Sequence, residues 1–240
     1  MNFKNCIFYG LQSKQRLKDL LLINRNVYFK SSFITSKISI YKQSNRIIEC
    51  PDDDIKAIQK NILSKLQTIG TPDYVFSGTK GKCFNDIKLK HAKFKYAYNI
   101  DLKKFFYNTS RNSVYDFYRT KLNTSPDIAK ILTDFSTINL ESKNLHGISE
   151  IKTLIETKAI SPNHLIAGAP QSPLLSFYVN LEMFDELFRF AQLHGVLLSV
   201  YVDDLFFASN NEITEEFIKE LSNIISKFNY SIQETKTYLR

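Results

Sequence analysis

The chain has 240 residues, of which 43% are hydrophobic and 23% charged, a composition that is typical of globular proteins and excludes an intrinsically disordered chain. Its length suits one large domain or two small ones, and its net charge of +8 favours a polyanionic partner such as a nucleic acid. No apolar run is long enough to span a bilayer, and no signal-peptide pattern is present, so we expect a cytoplasmic protein with no membrane partner. The three distant cysteines and the lack of a CxxC pair indicate neither a disulfide framework nor a zinc knuckle.

The first part of the chain is predicted to contain two helices and a strand region. A short amphipathic helix is expected over 11–24, and the loose alternation over 37–50 predicts strand. Pro51 and the three aspartates that follow it favour the start of a helix, whose apolar residues recur at helical spacing until Gly70 ends it. We expect the stretch 71–94, which carries glycines and lysines, to be a loop.

The second part of the chain alternates strands and helices. Strand patterns occur in 95–101, in a strand–turn–strand unit over 196–209, and near 230–232. Helical patterns cover 111–122, 126–135, Ser172 to His194 and 211–228. This order predicts an α+β fold with helices on one face of an antiparallel sheet.

Aspartates stand at the ends of two predicted strands. Asp101 ends the strand over 95–101, whereas Asp203 and Asp204 are adjacent within an apolar hairpin, where their charges repel. In an antiparallel sheet two such strand ends can lie side by side, so that three carboxylates converge on one edge. Such a group suits Mg²⁺, and two ions can clamp the attacking and leaving oxygens of a phosphoryl transfer.

Each acid also has an ordinary structural interpretation. An Asp-Asp pair in a hairpin is more often a turn, because aspartate tolerates the backbone angles of turns. Asp101, considered alone, is more often a helix N-cap or a surface acid. The neighbouring motifs decide between these interpretations.

Five short motifs resemble, in the same order, those of bacterial reverse transcriptases of the retron or phage-defence kind. YVDD resembles the YxDD box of that family, and DLKKFF resembles its first catalytic-aspartate motif. GAPQSP resembles its Gly-Ala-Pro-x-Ser-Pro segment, RIIECP its fingers motif, and the lysine of ETKT the lysine of its fourth palm motif. Any one motif is weak, but the ordered set covers most of the chain.

The resemblance implies an RNA-directed DNA polymerase with a right-hand fold and a two-metal site. Asp101 and Asp203 would hold two Mg²⁺ ions, for which Mn²⁺ could substitute, and Asp204 would be a weaker ligand or an orienting acid. The backbone carbonyl of Leu102 would also face a metal. A primer 3′-hydroxyl would attack a dNTP, and pyrophosphate would leave.

Further residues would contact the incoming nucleotide. Phe106 would exclude a ribose 2′-hydroxyl, and strand alternation would put Phe105 on the opposite face. Lys42 and Arg46, four residues apart on fingers strands, would share one face and hold the triphosphate. Lys236 would neutralise the pyrophosphate or act as a general acid.

The glycine-containing loop would line the floor beneath nucleotide and template, with Ser172 as N-cap of the helix that follows. The loop residues expected to bind nucleotide are Gly168, Ala169, Pro170 and Gln171. The family usually has glutamine where this chain has Ala167, which implies a difference in nucleotide affinity or fidelity.

A basic stretch and one tyrosine are candidates for contact with nucleic acid. Lys80, Lys82 and Lys88 could follow a phosphate backbone, with an affinity that falls as salt rises, although lysine runs are usually just solvated. Tyr201 of the YxDD box would join them. The implied partners are a template RNA, which could be a structured non-coding RNA, a DNA or RNA primer, and dNTPs.

The expected domains are fingers over 1–94 and 120–163 and palm over 95–119 and 164–240. A thumb is expected to be absent from this chain, so the sequence is a fragment, a second chain supplies the thumb, or the protein performs less than processive synthesis. Two other functions stay open. One is an untemplated or protein-primed nucleotide polymerase, and the other is a non-catalytic RNA-binding module, which the three acids disfavour.

Overall fold

The computed structural model describes residues 1–24, 26–43, 46–140, 153, 156, 160–233 and 238–239. The chain divides into two compact units, each built from segments that are separate in sequence. The first unit contains Met1–Gly70 and Phe106–Val179, and the second contains Thr71–Phe105 and Asn180–Arg240. The expected fingers and palm boundaries differ from these, and their assignment stays a prediction.

The described helices and strands alternate along the chain in an α+β order. The helices are α1 (Lys14–Leu21), α2 (Ser31–Ser36), α3 (Asp53–Leu66), α4 (Phe84–His91), α5 (Phe105–Asn108), α6 (Arg111–Asp116), α7 (Pro126–Ser136), α8 (Ser172–Val179), α9 (Leu181–Leu193) and α10 (Glu215–Lys227). The strands are β1 (Ile38–Gln43), β2 (Arg46–Pro51), β3 (Tyr96–Asp101), β4 (Thr137–Asn139), β5 (Asn163–Leu165), β6 (Leu197–Tyr201), β7 (Asp204–Ser209) and β8 (Tyr238–Leu239). No described helix has the length and apolarity needed to cross a membrane.

Helix α3 of the first unit forms where the sequence predicts it, but its start differs. Pro51 is the last residue of β2, and Asp52 is the N-cap, whose carboxylate accepts a hydrogen bond from the Ile55 N–H at 3.0 Å. Such a cap contributes about 1 kcal/mol. The buried face includes Ile55, Ile62 and Leu66, each with no exposed surface.

The second unit is built on an antiparallel sheet with the order β6-β7-β3-β8. One face presents apolar side chains to α9 and α10, for example the Phe207 ring, which lies 6.0 Å from the Phe217 ring. The other face carries α4, where the Phe84 ring lies 5.6 Å from Phe206 and His91 Nε2 lies 2.9 Å from the Ser199 hydroxyl. The prediction of an antiparallel sheet is confirmed, but helices lie on both faces rather than one.

Three local predictions are wrong. The expected loop over 71–94 contains α4, which the Asp86 carboxylate stabilises by accepting the Cys83 N–H at 2.7 Å. The expected helix from Ser172 to His194 is interrupted at Asn180, which has φ −102° and ψ 23° and accepts a hydrogen bond from the Tyr230 hydroxyl. The expected strand near 230–232 is reduced to an isolated bridge at Ile232.

Candidate active site

The β6–β7 hairpin carries two of the candidate acids at its turn. Tyr201 pairs with Asp204, so Val202 and Asp203 form a two-residue turn. Val202 has φ 61°, in the left-handed region that a β-branched residue rarely adopts. Two-residue hairpin turns normally use glycine or asparagine at a positive φ. The backbone is therefore strained at the residue that precedes Asp203.

The third acid lies on the neighbouring strand. The register of β3 and β7 puts Asp101 directly opposite Asp204. Side chains of directly opposed residues leave the same face of a sheet, with their Cβ atoms about 4.5–5.5 Å apart. The Leu102 N–H donates to the Asp203 carbonyl oxygen at 2.9 Å, which extends the pairing to the turn. The prediction that the two aspartate-bearing strand ends lie side by side is confirmed.

Hydrogen bonds on the other side of β3 also fix the backbone at Asp101. The Gln233 N–H donates to the Asp101 carbonyl and the Lys103 N–H donates to the Ser231 carbonyl, both at 2.8 Å. Asp101 is only 6% exposed, and Leu102 is completely buried. The strand end is therefore held rigidly, whereas a contact between the Leu102 carbonyl and a metal stays a prediction.

The acids supply the donor atoms that a hard divalent cation requires. Mg²⁺ is bound through oxygen and usually takes one or two carboxylates, which the facing Asp101 and Asp204 and the adjacent Asp203 can provide. Within the described ranges, however, no three His, Cys, Asp or Glu side chains are grouped so that they could hold a metal ion. Repulsion between like charges opposes such a grouping in the protein alone. The donor set fits the predicted ions, but the full convergence of three carboxylates is not observed.

Phe105 and Phe106 differ in burial, but strand alternation is not the cause. Residues Phe105–Asn108 form helix α5, so the strand has already ended. Phe105 is 2% exposed, and its ring lies 5.3 Å from the Tyr230 ring. Phe106 is partly exposed. Phe105 is a core residue, and the selection of dNTPs by Phe106 stays a prediction.

The Gly168 loop of the first unit lies directly against strand β2. A Cβ atom added at Gly168 would lie 2.0 Å from the Glu49 carbonyl oxygen, so only glycine fits there. The Glu49 carboxylate accepts a hydrogen bond from the Ala167 N–H at 3.0 Å and lies 2.6 Å from His164 Nε2. Glu49 thus holds the loop through its side chain, while its backbone carbonyl leaves room only for glycine at position 168.

The Glu49–His164 pair could not be identified from the sequence. The two side chains are 1% and 0% exposed, respectively, and the Tyr107 ring packs edge-on against His164. The Tyr107 hydroxyl donates to the Ile47 carbonyl, while burial and the Glu49 charge raise the pKa of Tyr107 to about 12. A single acid among the apolar residues of RIIECP is the only signal, and it does not identify the partner.

The rest of the loop is more buried than expected. Gln171 has no exposed surface, and its amide donates to the Phe135 carbonyl at 3.1 Å, which gives it a packing role. Ala169 is 3% exposed, while Gly168 is exposed and Pro170 partly so. The N-cap expected at Ser172 is wrong, because α8 already includes Ser172 and its buried hydroxyl has no hydrogen-bond partner within the described part of the chain.

Comparison with known proteins shows the family of this chain. The family model described as "Reverse transcriptase (RNA-dependent DNA polymerase)" matches residues 30–240. The chain belongs to the reverse transcriptase family. It is similar to "Retron Se72 reverse transcriptase" of Salmonella heidelberg (strain 579083-10), with 22% identity over 205 residues, 82% of this chain and 47% of the relative. The chain therefore spans about half the length of that curated relative. The family predicted from the ordered motifs is confirmed.

Other residues that the reverse transcriptase motifs suggest are placed only in part. Lys42 and Arg46 lie on opposing strands, where Lys42 pairs with Ile47 and Arg46 with Gln43. The expectation that both lie on one face because of their spacing along a strand is therefore wrong. The side chains of Lys42 and Arg46, and all of Lys236, lie outside the part of the chain that the structure describes.

The candidate nucleic-acid contacts of this reverse transcriptase-family chain have different surroundings. The Lys82 ammonium donates to the carbonyls of Asp73 and Val75, both at 3.2 Å, so it is engaged within its own loop. Lys80 and Lys88 are exposed. Tyr201 is partly exposed, and its ring packs edge-on against Phe84 of α4 at 5.5 Å.

Proposed function

We propose that this chain carries the polymerase active site of an RNA-directed DNA polymerase, which adds deoxynucleotides to a primer 3′-hydroxyl. The observation that carries the proposal is the register of the sheet, which puts Asp101 opposite Asp204 beside the turn that contains Asp203. Membership of the reverse transcriptase family supports the same reaction.

The proposed chemistry is a nucleotidyl transfer. The primer 3′-oxygen forms a bond to the α-phosphorus of a dNTP, the bond to the β,γ-diphosphate breaks, and pyrophosphate leaves. Asp101, Asp203 and Asp204 would hold two Mg²⁺ ions, which, when bound, supply positive charge at the attacking and leaving oxygens. The rigid hydrogen bonding around Asp101 would keep its carboxylate in place and limit reorganisation.

The Gly168 loop and the β1–β2 hairpin carry the residues that we propose bind the nucleotide. The Glu49–Ala167 hydrogen bond and the close fit of Gly168 hold the loop backbone in one position. Arg46 on the hairpin would meet the triphosphate, and Lys236 the leaving pyrophosphate. Phe106 would favour deoxyribose by steric exclusion of a 2′-hydroxyl.

The proposed partners are a template RNA, a DNA or RNA primer and dNTPs. The similarity to a protein named as a retron reverse transcriptase supports a retron setting, in which the template would be a structured RNA. A role in phage defence is part of the same proposal. Lys80 and Lys88 are the exposed lysines that would meet phosphates of the nucleic acid.

Primer extension with three template conditions tests the proposal. The chain is given a labelled DNA primer, dNTPs and Mg²⁺ with an RNA template, a DNA template of the same sequence, or no template. We expect the primer to be extended on the RNA template, and the sequence of the product to be complementary to that template. Equal incorporation without template would instead indicate an untemplated polymerase, and RNA binding without incorporation would indicate a non-catalytic module.

A further inference from the structure

A short segment, residues 74–77, runs beside the strand that leads to the aspartate turn. Val75 forms a parallel bridge with Val200. The Val200 N–H donates to the Tyr74 carbonyl at 2.7 Å, and the Phe76 N–H donates to the Val200 carbonyl at 3.0 Å. The segment therefore extends the sheet beyond β6 and follows β6 toward its turn.

The segment ends in a hydrogen bond to the turn itself. The Val202 N–H donates to the Ser77 hydroxyl oxygen at 3.0 Å, and Ser77 is only 3% exposed. On the other side of the turn, the Leu102 N–H donates to the Asp203 carbonyl at 2.9 Å. The two residues of the turn are thus each held by a hydrogen bond to a different segment of the same unit.

The strain at Val202 explains why such a bond is needed. A non-glycine residue in the left-handed region is energetically unfavourable and persists only when its surroundings impose it. Val202 has φ 61° and is β-branched. The bond to Ser77 is a favourable interaction of the Val202 N–H that offsets part of this strain. Without Ser77 the turn could relax, and the backbone that carries Asp203 would move with it.

The residues around Ser77 hold the segment in place. The Lys82 ammonium donates to the carbonyls of Asp73 and Val75, both at 3.2 Å, and lies 5.2 Å from the centre of the Phe76 ring. The Thr79 hydroxyl donates to the Ser77 carbonyl at 3.3 Å. These contacts fix the backbone immediately before Ser77 and at Ser77 itself.

We propose that Ser77 is a positioning residue for Asp203: its hydroxyl accepts the Val202 N–H and so maintains the strained turn in the conformation that presents the carboxylate. Lys82 in turn positions the segment that carries Ser77. The catalytic consequence rests on the proposed polymerase function, whereas the effect on the turn does not depend on it.

Two measurements on Ser77→Ala test the proposal in the full chain. Hydrogen exchange of the Val202 amide, followed without substrate, should be about 10-fold faster, since 1.4 kcal/mol corresponds to a factor of 10. In primer extension, kcat should fall by about 10-fold while KM for dNTP changes little, because the change acts on Asp203 and not on the nucleotide-binding loop. Ser77→Thr keeps the hydroxyl and should restore both values.

A second substitution tests the role of strain. Val202→Gly removes the Cβ atom that makes the positive φ unfavourable. In the Val202→Gly background, Ser77→Ala should therefore have a smaller effect on kcat than it has alone. Equal effects in the two backgrounds would contradict the argument from strain.

Ser209→Ala is the matched control. Ser209 is buried at the far end of β7, and its hydroxyl accepts the Asn211 N–H at 3.0 Å, so the same kind of bond is lost in the same hairpin. This variant should leave Val202 exchange and kcat unchanged. Unaltered Val202 exchange in Ser77→Ala would overturn the proposal even if activity fell. If the unmodified chain does not extend a primer, the polymerase function fails while the exchange measurement still decides the role of Ser77.

Discussion

Asp101 lies directly opposite Asp204 on neighbouring antiparallel strands, and both carboxylates leave the same face of the sheet. Two like charges in that position destabilise a sheet, by up to about 1 kcal/mol. In return, the two carboxylates supply a pair of oxygen ligands next to the third acid, Asp203. The facing carboxylates therefore lower the stability of the protein without metal, but they supply the oxygen atoms that a metal ion requires.

The repulsion between Asp101 and Asp204 predicts that a variant can gain stability while it loses function. Asp204→Asn should raise the free energy of unfolding by up to about 1 kcal/mol in the presence of a chelator, because the repulsion with Asp101 is removed. Added Mg²⁺ should stabilise the Asp204→Asn variant less than it stabilises the unmodified chain. Thermal unfolding with and without Mg²⁺ measures both effects. In the control Glu212→Gln, an exposed acid is neutralised outside the site, so neither quantity should change.

The buried Glu49–His164 pair predicts a large loss of stability when one partner is removed. Glu49→Ala leaves the buried His164 Nε2 and the Ala167 N–H without their hydrogen-bond partner, and each buried polar group left unsatisfied costs about 1–3 kcal/mol. Denaturant unfolding measures this loss. Glu186→Ala breaks the more exposed ion pair with Lys227 and should cost less than about 1 kcal/mol. Similar losses in the two variants would contradict a structural role for Glu49.

Burial of His91 predicts a specific dependence of stability on pH. Burial, together with the Lys90 charge, lowers the pKa of His91 from 6.5 to about 4 in the folded protein. At a pH between these two pKa values, His91 binds a proton in the unfolded chain but not in the folded protein. The free energy of unfolding therefore falls as the pH decreases from 7 to 4. The His91→Gln variant should lose less stability than the unmodified chain between pH 7 and pH 4. Parallel curves for the two proteins, measured by denaturant unfolding, would show that His91 does not titrate in this way.

Lys80 and Lys82 are predicted to have different effects although they are two residues apart. Lys80 is exposed, so Lys80→Ala should weaken RNA binding and reduce its salt dependence while the melting temperature stays constant. Lys82→Ala should lower the melting temperature, because the ammonium binds the carbonyls of Asp73 and Val75. RNA-binding titrations at two salt concentrations, together with thermal unfolding, separate the two roles. The reverse pattern would assign Lys82 to the nucleic acid.

Features that depend on local sequence could be predicted. The two aspartate-bearing strand ends followed from alternating residues, and the family followed from short motifs such as YVDD and GAPQSP. The glycine in the second motif is explained by its contact with the Glu49 carbonyl, which the sequence alone could not supply.

Features that depend on contacts between distant segments could not be predicted. Neither the partner of His164 nor the hydrogen bond from Val202 to Ser77 follows from periodicity or composition. Lys82 belongs to a lysine run that favours a solvated or phosphate-binding interpretation, yet its ammonium binds carbonyls of its own loop. Helix α4 was missed because its charged and apolar residues are poorly separated between its faces.

Primer extension on an RNA template by the Asp203→Asn variant tests the central claim most directly. Asparagine has nearly the same shape as aspartate but lacks the charge that would hold Mg²⁺, so incorporation should fall by about 100-fold or more while RNA binding and the melting temperature are retained. Incorporation by Asp203→Asn at the rate of the unmodified chain would contradict the assignment of this turn as the polymerase active site.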